Sequence, residues 1–551
     1  MIVDSVIAST ERYDLCVIGS GPAGIILALE YAALRPDHNI LLMECGSKPN
    51  GTNPLDETVD VKTPKNHHLP YECTNKGIGG SSLTWGGRCV MYDEIDFLPH
   101  GPVQEECTWD PSFLHAAKPF FSKSADYFDC GEPAFNLDEV VSDERPPIAE
   151  NFKSGKVIDN VIERWSLPTR FGKEYGERLR RSASIRVLEG FRVTHFSKLN
   201  GAAAVTEIQA ESLNGECIKI QAGAFVISAG GQESTRLLLK SPQLFRELDT
   251  VPATLGKYYQ GHVSGKIAFV RFHGDPNRTQ YGFHRDAEGI YCRQRLQFST
   301  EACVREGLLN IAFWTDNPPV YDASHGNGTL SFIYLAMITP ILRRKLLPPA
   351  IARSLTAGKT SGVFRHLLNV VRGLPGSLLT PAVIFVKRYL IRRGMPGVYL
   401  KSRANRYALH FHAEQIPLPE NEMRLSEDDK RLEISYRYSD EDVDAVIKGH
   451  QYLDQQLRAM NCGELEYLYE EKELPDAIRK ISMDGLHQVG TTRIADSPRD
   501  GVVDRDLRVW GTSNLYVCSS SVFPTSGQAN PTFFLGACAA RLASHVASSE
   551  K

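Results

Sequence analysis

The sequence predicts an α/β (α+β) fold, and three observations carry that prediction. Near the N-terminus, over residues 13–34, an apolar strand runs into a glycine-rich turn and then a helix. A second strand, 224–228, ends in paired glycines, and a third, 515–518, leads into the last helix. Stretches such as 185–196 and 432–436 alternate apolar and polar residues, as half-buried strands do. The 551 residues are 42% hydrophobic and 23% charged, an ordinary globular composition that excludes a disordered, collagen-like or coiled-coil chain. Length alone favours three or four domains, or two large ones.

The first element is the most informative. Leu15-Cys16-Val17-Ile18 leads into Gly19-Ser20-Gly21-Pro22-Ala23-Gly24, and a helical stretch follows to residue 34. In such a turn the first glycine permits the bend, the second lets backbone approach a pyrophosphate, and the third lets helix and strand pack closely. The helix N-terminus then presents N–H groups and a positive dipole to the phosphates. Asn39-Ile40-Leu41-Leu42-Met43-Glu44 is a second strand, ending in an acid 20 residues after Gly24. An acid there binds ribose hydroxyls, which suits FAD or NAD rather than NADP.

A second glycine loop, Gly77-Ile78-Gly79-Gly80-Ser81-Ser82-Leu83-Thr84-Trp85-Gly86-Gly87-Arg88, exposes backbone N–H groups to an anion or a flat ring. The strand Ala224-Phe225-Val226-Ile227-Ser228 runs into Ala229-Gly230-Gly231. Extra glycine-lined contacts suit a long, buried cofactor better than a nicotinamide that must come and go.

Near the C-terminus stand His487-Gln488-Val489-Gly490-Thr491-Thr492-Arg493, then Gly501-Val502-Val503-Asp504, then a block from Asn514 through Ser519-Ser520-Ser521 to Thr525, and Gln528-Ala529-Asn530-Pro531-Thr532. With the two glycine loops, these blocks resemble the glucose–methanol–choline (GMC) family of FAD-dependent oxidoreductases, in order and over nearly the full chain. The bacterial sugar- and glycoside-oxidising members and the pyranose oxidases are the nearest in pattern. Residues 101–180 and 265–408 match no family block.

The resemblance implies an FAD-binding domain of Rossmann type from residues 1–100, 184–265 and 484–551. It implies a substrate domain with a mainly antiparallel sheet from 101–183 and 266–483, with a basic helical insertion near 340–400. It implies oxidation of an alcohol, the hydroxyl proton going to a base and the carbinol hydride to flavin N5. The family's base corresponds to His487, and its His/Asn partner to Asn530, 43 residues on. Histidine suits proton abstraction near neutrality, and Asn holds an oxygen by hydrogen bonds. The implied cofactor contacts are Gly19, Ser20, Gly21, Pro22, Ala23, Gly24, Glu44, Gly80, Ser81, Ser82, Trp85, Gly86, Gly87, Val193, Ala229, Gly230, Ser519, Ser520, Asn530, Pro531 and Thr532. Where some members carry a histidine bonded covalently to FAD, this chain has Thr84, so non-covalent FAD is expected.

Leu409-His410-Phe411-His412-Ala413-Glu414 alternates, so His410, His412 and Glu414 share a strand face. It is similar to a family strand that roofs the flavin; substrate contacts by His410 and His412, or a plain solvent face, are the two readings. Zinc is not expected, because no Cys or further His lies at ligand spacing. A sugar, glycoside or polyol is the expected substrate. A non-sugar alcohol and a non-redox flavoprotein lyase are the alternatives, and the electron acceptor stays open.

Net charge is −4, which argues against a nucleic-acid binder, but it hides a polarity. From residue 323 to 413 there is no Asp or Glu while Lys and Arg number 14, leaving −18 on the rest. Phe364, Leu367, Leu368 and Val371 fall at helical spacing there, with Pro348, Pro349, Gly373, Pro375, Gly376, Gly394, Pro396 and Gly397 cutting the region into short helices. The readings are an insertion whose charges pair with the acidic remainder, a contact with anionic lipid or an acidic partner through 340–406, or a lid over an anionic substrate. Twelve scattered Cys without a C-x-x-C pair, and no signal-like N-terminus, lead to the expectation of a cytoplasmic enzyme.

Overall fold

In the computed structural model, the described residues are all but 1, 47–57, 141–145, 167–168, 200, 249, 319, 340–361, 392, 403 and 550–551. A seven-stranded sheet forms the nucleotide-binding half. Ile185–Glu189, Ile40–Glu44, Arg12–Ile18 and Cys217–Ile227 lie side by side and parallel. Leu515–Val517 joins the end of Cys217–Ile227, also parallel, so the two chain ends meet in one sheet. Val205–Ser212 and Phe191–Lys198 continue it antiparallel. The expected strand over 185–196 is two strands, because Gly190 adopts φ +83° and turns the chain between them.

The apolar first strand is buried almost throughout, as a parallel strand covered on both faces must be. The helix Pro22–Leu34 returns over the sheet, and Thr532–Ser549 packs on it. Pro22 opens the first helix, where its missing N–H costs nothing.

A second, antiparallel sheet of six strands has the order Gly463–Tyr467, His262–Phe272, Arg406–Glu414, Ile311–Asp316, Leu296–Phe298, Val157–Ile158. Its core is separate from that of the parallel sheet. Two smaller sheets bridge the expected segment boundaries. Arg88–Cys89 pairs with Ile162–Trp165, and Val59–Val61 pairs with Leu432–Ser435. The strand His262–Phe272 runs straight through the boundary at 265.

The basic insertion connects the neighbouring strands Ile311–Asp316 and Arg406–Glu414. Its described part is helical: Gly328–Ile338, Val363–Arg372 and Gly376–Phe385, the last extended by a wider turn over Val386–Leu390. Pro348 and Pro349 lie outside the described residues.

Candidate active site

A cleft with about 1440 Å³ of empty space opens where the parallel strands end. This space includes open solvent at the cleft mouth, and its lining draws on both ends of the chain, as a dinucleotide site built from them requires. Gly19, Ser20, Gly21, Pro22, Ala23, Glu44, Gly80, Ser81, Ser82, Trp85, Val193, Ala229, Gly230, Ser519, Ser520, Pro531 and Thr532 line it, as expected from the sequence.

Gly24, Gly86, Gly87 and Asn530 are not among the residues that line this cleft. Gly24 sits behind the turn, where a Cβ would lie 2.0 Å from the Gly19 carbonyl oxygen; it allows helix–strand packing. Gly86 and Gly87 carry the chain past Trp85 into the strand Arg88–Cys89, and the Gly87 carbonyl accepts from the Ser166 N–H at 2.6 Å. Asn530 turns toward His487 instead.

The cleft suits a dinucleotide. Gly21 caps the helix Pro22–Leu34 and Ala229 the helix Gly230–Leu239, neither with a side-chain cap, so two helix N-termini face the cleft ready for an anion. The two glycine turns touch backbone to backbone: Gly80 has φ +50°, and a Cβ on it would meet Gly21 Cα at 2.9 Å. Buried Glu44 joins them. Its Oε2 accepts from Ser20 Oγ (2.6 Å), and its Oε1 accepts from the N–H groups of Gly46 and Gly77 (both 2.9 Å).

His487 and Asn530 stand at the edge of this cleft, flanked by the lining residues Leu486, Gln488 and Pro531. Asn530 Nδ2 lies 2.8 Å from His487 Nε2. On the other side of the ring, His487 Nδ1 is 3.2 Å from Asp484 Oδ2 and 3.0 Å from His262 Nδ1. A proton on Nδ1 directed at the Asp484 carboxylate leaves the Nε2 lone pair as the acceptor, which is the tautomer a general base requires.

Asp484 is held firmly. Its Oδ1 accepts from the N–H groups of Gly485, Leu486 and His487 (2.7, 2.9 and 3.1 Å), and its Oδ2 accepts from the His262 N–H at 2.8 Å. Burial alone would push its pKa up, but the neighbouring His487 and His262 outweigh burial and hold it well below the usual carboxylate range. Burial holds His262 below the usual histidine value against the opposing pull of Asp484. Two buried atoms here have no partner among the described residues: Asn530 Oδ1 and His262 Nε2.

His410 and His412 lie over this group, not on a solvent face. His412 is buried, stacks on His262 with centroids 4.0 Å apart, and pairs through Nδ1 with the Gln528 carbonyl at 2.8 Å. His410 stacks on Trp314 at 4.4 Å, and the guanidinium groups of Arg88 and Arg293 cover the same indole at 4.4 and 4.5 Å. Burial first, then nearby cationic and histidine side chains, hold both imidazoles well below their usual pKa. Glu414, on the same strand, is spent internally: its Oε1 accepts from the Asn310 N–H at 2.6 Å and pairs with His100 Nε2 at 2.5 Å.

Asp484 and His262 were missed in the sequence. Asp484 could have been noticed three residues before His487, but acids near a histidine are common. His262 lies 225 residues from His487, and the backbone pairing of Gln260 with Val489 brings it in. Ligand atoms of His262, His412 and His487 fall within 4.8 Å of one another, a grouping that spacing along the sequence does not show.

Residues 417–539, which carry His487 and Asn530, match the family model described as GMC oxidoreductase. Over these residues the chain is a GMC oxidoreductase, as its sequence blocks imply. Members are FAD-dependent flavoproteins, and this one is an oxidoreductase acting on alcohol groups. Across 572 aligned positions the oxidoreductase is 22% identical to pyridoxine 4-oxidase of Microbacterium luteolum, covering 93% of this chain and 95% of the relative. It is 36% identical to 2-methyl-1,2-propanediol dehydrogenase of Mycolicibacterium austroafricanum over 62 residues, only 11% of either chain. Its fold matches that of pyridoxine 4-oxidase from Mesorbium loti (TM-score 0.53, 16% identity, 97% of this chain and 99% of that one). It also matches a fungal aryl-alcohol oxidase (TM-score 0.52, 15% identity, 98% and 99%).

Proposed function

We propose that the oxidoreductase converts a hydroxyl of a sugar, glycoside or polyol to a carbonyl, with FAD held non-covalently. The observation that carries alcohol oxidation is the Asp484–His487–Asn530 line at the edge of the dinucleotide cleft. His487 takes the hydroxyl proton at Nε2, the atom Asn530 now covers. Asn530 moves aside to hold the substrate oxygen, and Asp484 steadies the imidazolium that forms. Bound FAD supplies the hydride acceptor. The cofactor contacts are those of the cleft, and Thr84 replaces the histidine of covalent members; its hydroxyl accepts from Asn75 Nδ2 at 2.6 Å.

The polyol reading is supported by the imidazoles of His410 and His412, polar groups on the strand beside the catalytic group. A second reading, an aromatic or heteroaromatic carbinol, is supported by the full-length likeness to pyridoxine 4-oxidase. Anaerobic mixing with sugars and polyols on one side, and pyridoxine and benzyl alcohols on the other, decides between them. Faster bleaching of the flavin band by the second group would overturn the polyol reading, and product without any bleaching would point to a lyase. Flavin that stays with the polypeptide after acid precipitation would refute non-covalent binding. The twelve cysteines are all free thiols, which supports a reducing, cytoplasmic compartment.

A further inference from the structure

Two helices of the basic insertion, Val363–Arg372 and Gly376–Phe385, are inside-out. On Val363–Arg372 the residues that face inward, onto Gly328–Ile338, are polar. His366 is buried, with Nδ1 3.0 Å from Ser331 Oγ and its ring stacked on Tyr334. Asn369 Nδ2 donates to the Ala323 carbonyl (2.9 Å) and to Ser331 Oγ (3.1 Å). In Gly376–Phe385 the only buried residue is Ser377, whose Oγ donates to the Val370 carbonyl at 3.0 Å. The outward residues are apolar: Phe364 is 73% exposed, Leu390 68%, Val371 64% and Leu379 62%, with Leu367 and Val383 beside them.

A water-facing helix has the opposite arrangement. Of the 26 exposed large hydrophobic residues described in the chain, 12 lie between residues 363 and 391. Scattered apolar residues need no explanation, but a concentrated patch marks an interaction surface.

Charge identifies the occupant. Arg365, Arg372, Lys387 and Arg388 are exposed around this patch. No acid occurs between residues 323 and 413, and residues 340–361 add five more Lys and Arg by sequence. An apolar face whose own segment carries cations and no acids is complementary to acyl chains beneath anionic headgroups. No single described helix is long and apolar enough to cross a membrane, and the pair Val363–Arg372 and Gly376–Arg388 turns by 90° at its break. Its four cationic side chains also disfavour a span. We infer that this hairpin docks the enzyme, lying flat, in the interface of an anionic bilayer. The inference is independent of which alcohol is oxidised.

Flotation of the holoenzyme with vesicles of phosphatidylcholine, with and without phosphatidylglycerol, tests it. The wild type is expected to float with the anionic vesicles at least ~10-fold better than with the neutral ones, and to be released by high salt. Two variants serve as partners: Phe364→Ser/Leu379→Ser/Leu390→Ser, and Arg365→Gln/Arg372→Gln/Lys387→Gln/Arg388→Gln. Each should lose at least ~10-fold of the floated fraction while keeping its flavin and its alcohol-dependent bleaching. Wild type that stays unbound, or variants that float as it does, would overturn the inference. So would a wild-type dimer that the apolar variant dissolves while neither protein floats, since the face would then join two copies of this chain.

Discussion

Two apolar pieces of this protein have opposite fates. The helix Pro22–Leu34 buries nine consecutive residues, 23–31, between the parallel sheet and the C-terminal helix. Even its single acid there is enclosed, with Glu30 accepting from the Tyr127 hydroxyl at 2.9 Å and paired with Lys123. The hairpin of Val363–Arg372 and Gly376–Phe385 carries similar apolar residues, yet it turns His366, Asn369 and Ser377 inward and its aliphatic side chains out. Apolarity states which groups leave water; the neighbours decide what receives them. The first helix is received by the protein, and the second has an acceptor outside it.

The contrast can be tested by substitutions on each side. The largest effect belongs to the buried half. His487→Ala should slow flavin reduction by ~10²–10⁴ with flavin still bound, as stopped-flow absorbance would record, whereas the apolar hairpin variant should reduce its flavin at the wild-type rate. A His487→Ala enzyme as fast as wild type would remove His487 from the chemistry.

Next comes packing. Leu27→Ala, at a fully buried site of the first helix, should cost about 2–5 kcal/mol, seen as an earlier loss of bound flavin in a denaturant titration.

Asp484→Asn follows. Losing a charge-assisted partner of His487 should cost about 1.5–3 kcal/mol, roughly 10- to 100-fold in the reductive rate. The carboxylate's folded pKa is depressed, so its stabilising contribution is complete above its unfolded value near ~4 and is lost only as pH falls through the lower folded one. The wild-type enzyme should therefore keep this anion throughout mildly acidic solution. In the variant this anion is gone, so an acid limb of kcat/KM that it shapes should move to lower pH. A steady-state pH profile checks this, and an unmoved limb would mean that Asp484 only shapes the loop.

The smallest effect is on the exposed side. Leu379→Ala should change stability by less than ~0.5 kcal/mol in the same titration, and a cost like that of Leu27→Ala would mean that the face is covered.

Sequence alone determined the parts whose chemistry is local. A strand, a glycine turn and a helix within about 30 residues can do little but present backbone to a phosphate, so the cleft was legible from Gly19 to Ala23, and Gly80 and Ser519 with it. His487 and Asn530 were legible as a pair because their blocks are specific, and they meet at 2.8 Å. What the tertiary structure decided is every property that depends on what lies across a gap in the chain. The pairing of Gln260 with Val489 delivers His262 to Asp484 and His487, and strand packing buries His412 and half-buries His410 on a face that alternation alone left ambiguous. Helical spacing placed Phe364, Leu367 and Val371 on one face, but periodicity fixes only which residues share a face, never which way that face looks. Here it looks outward, because Ser331 and the Ala323 carbonyl offer hydrogen bonds to the opposite side.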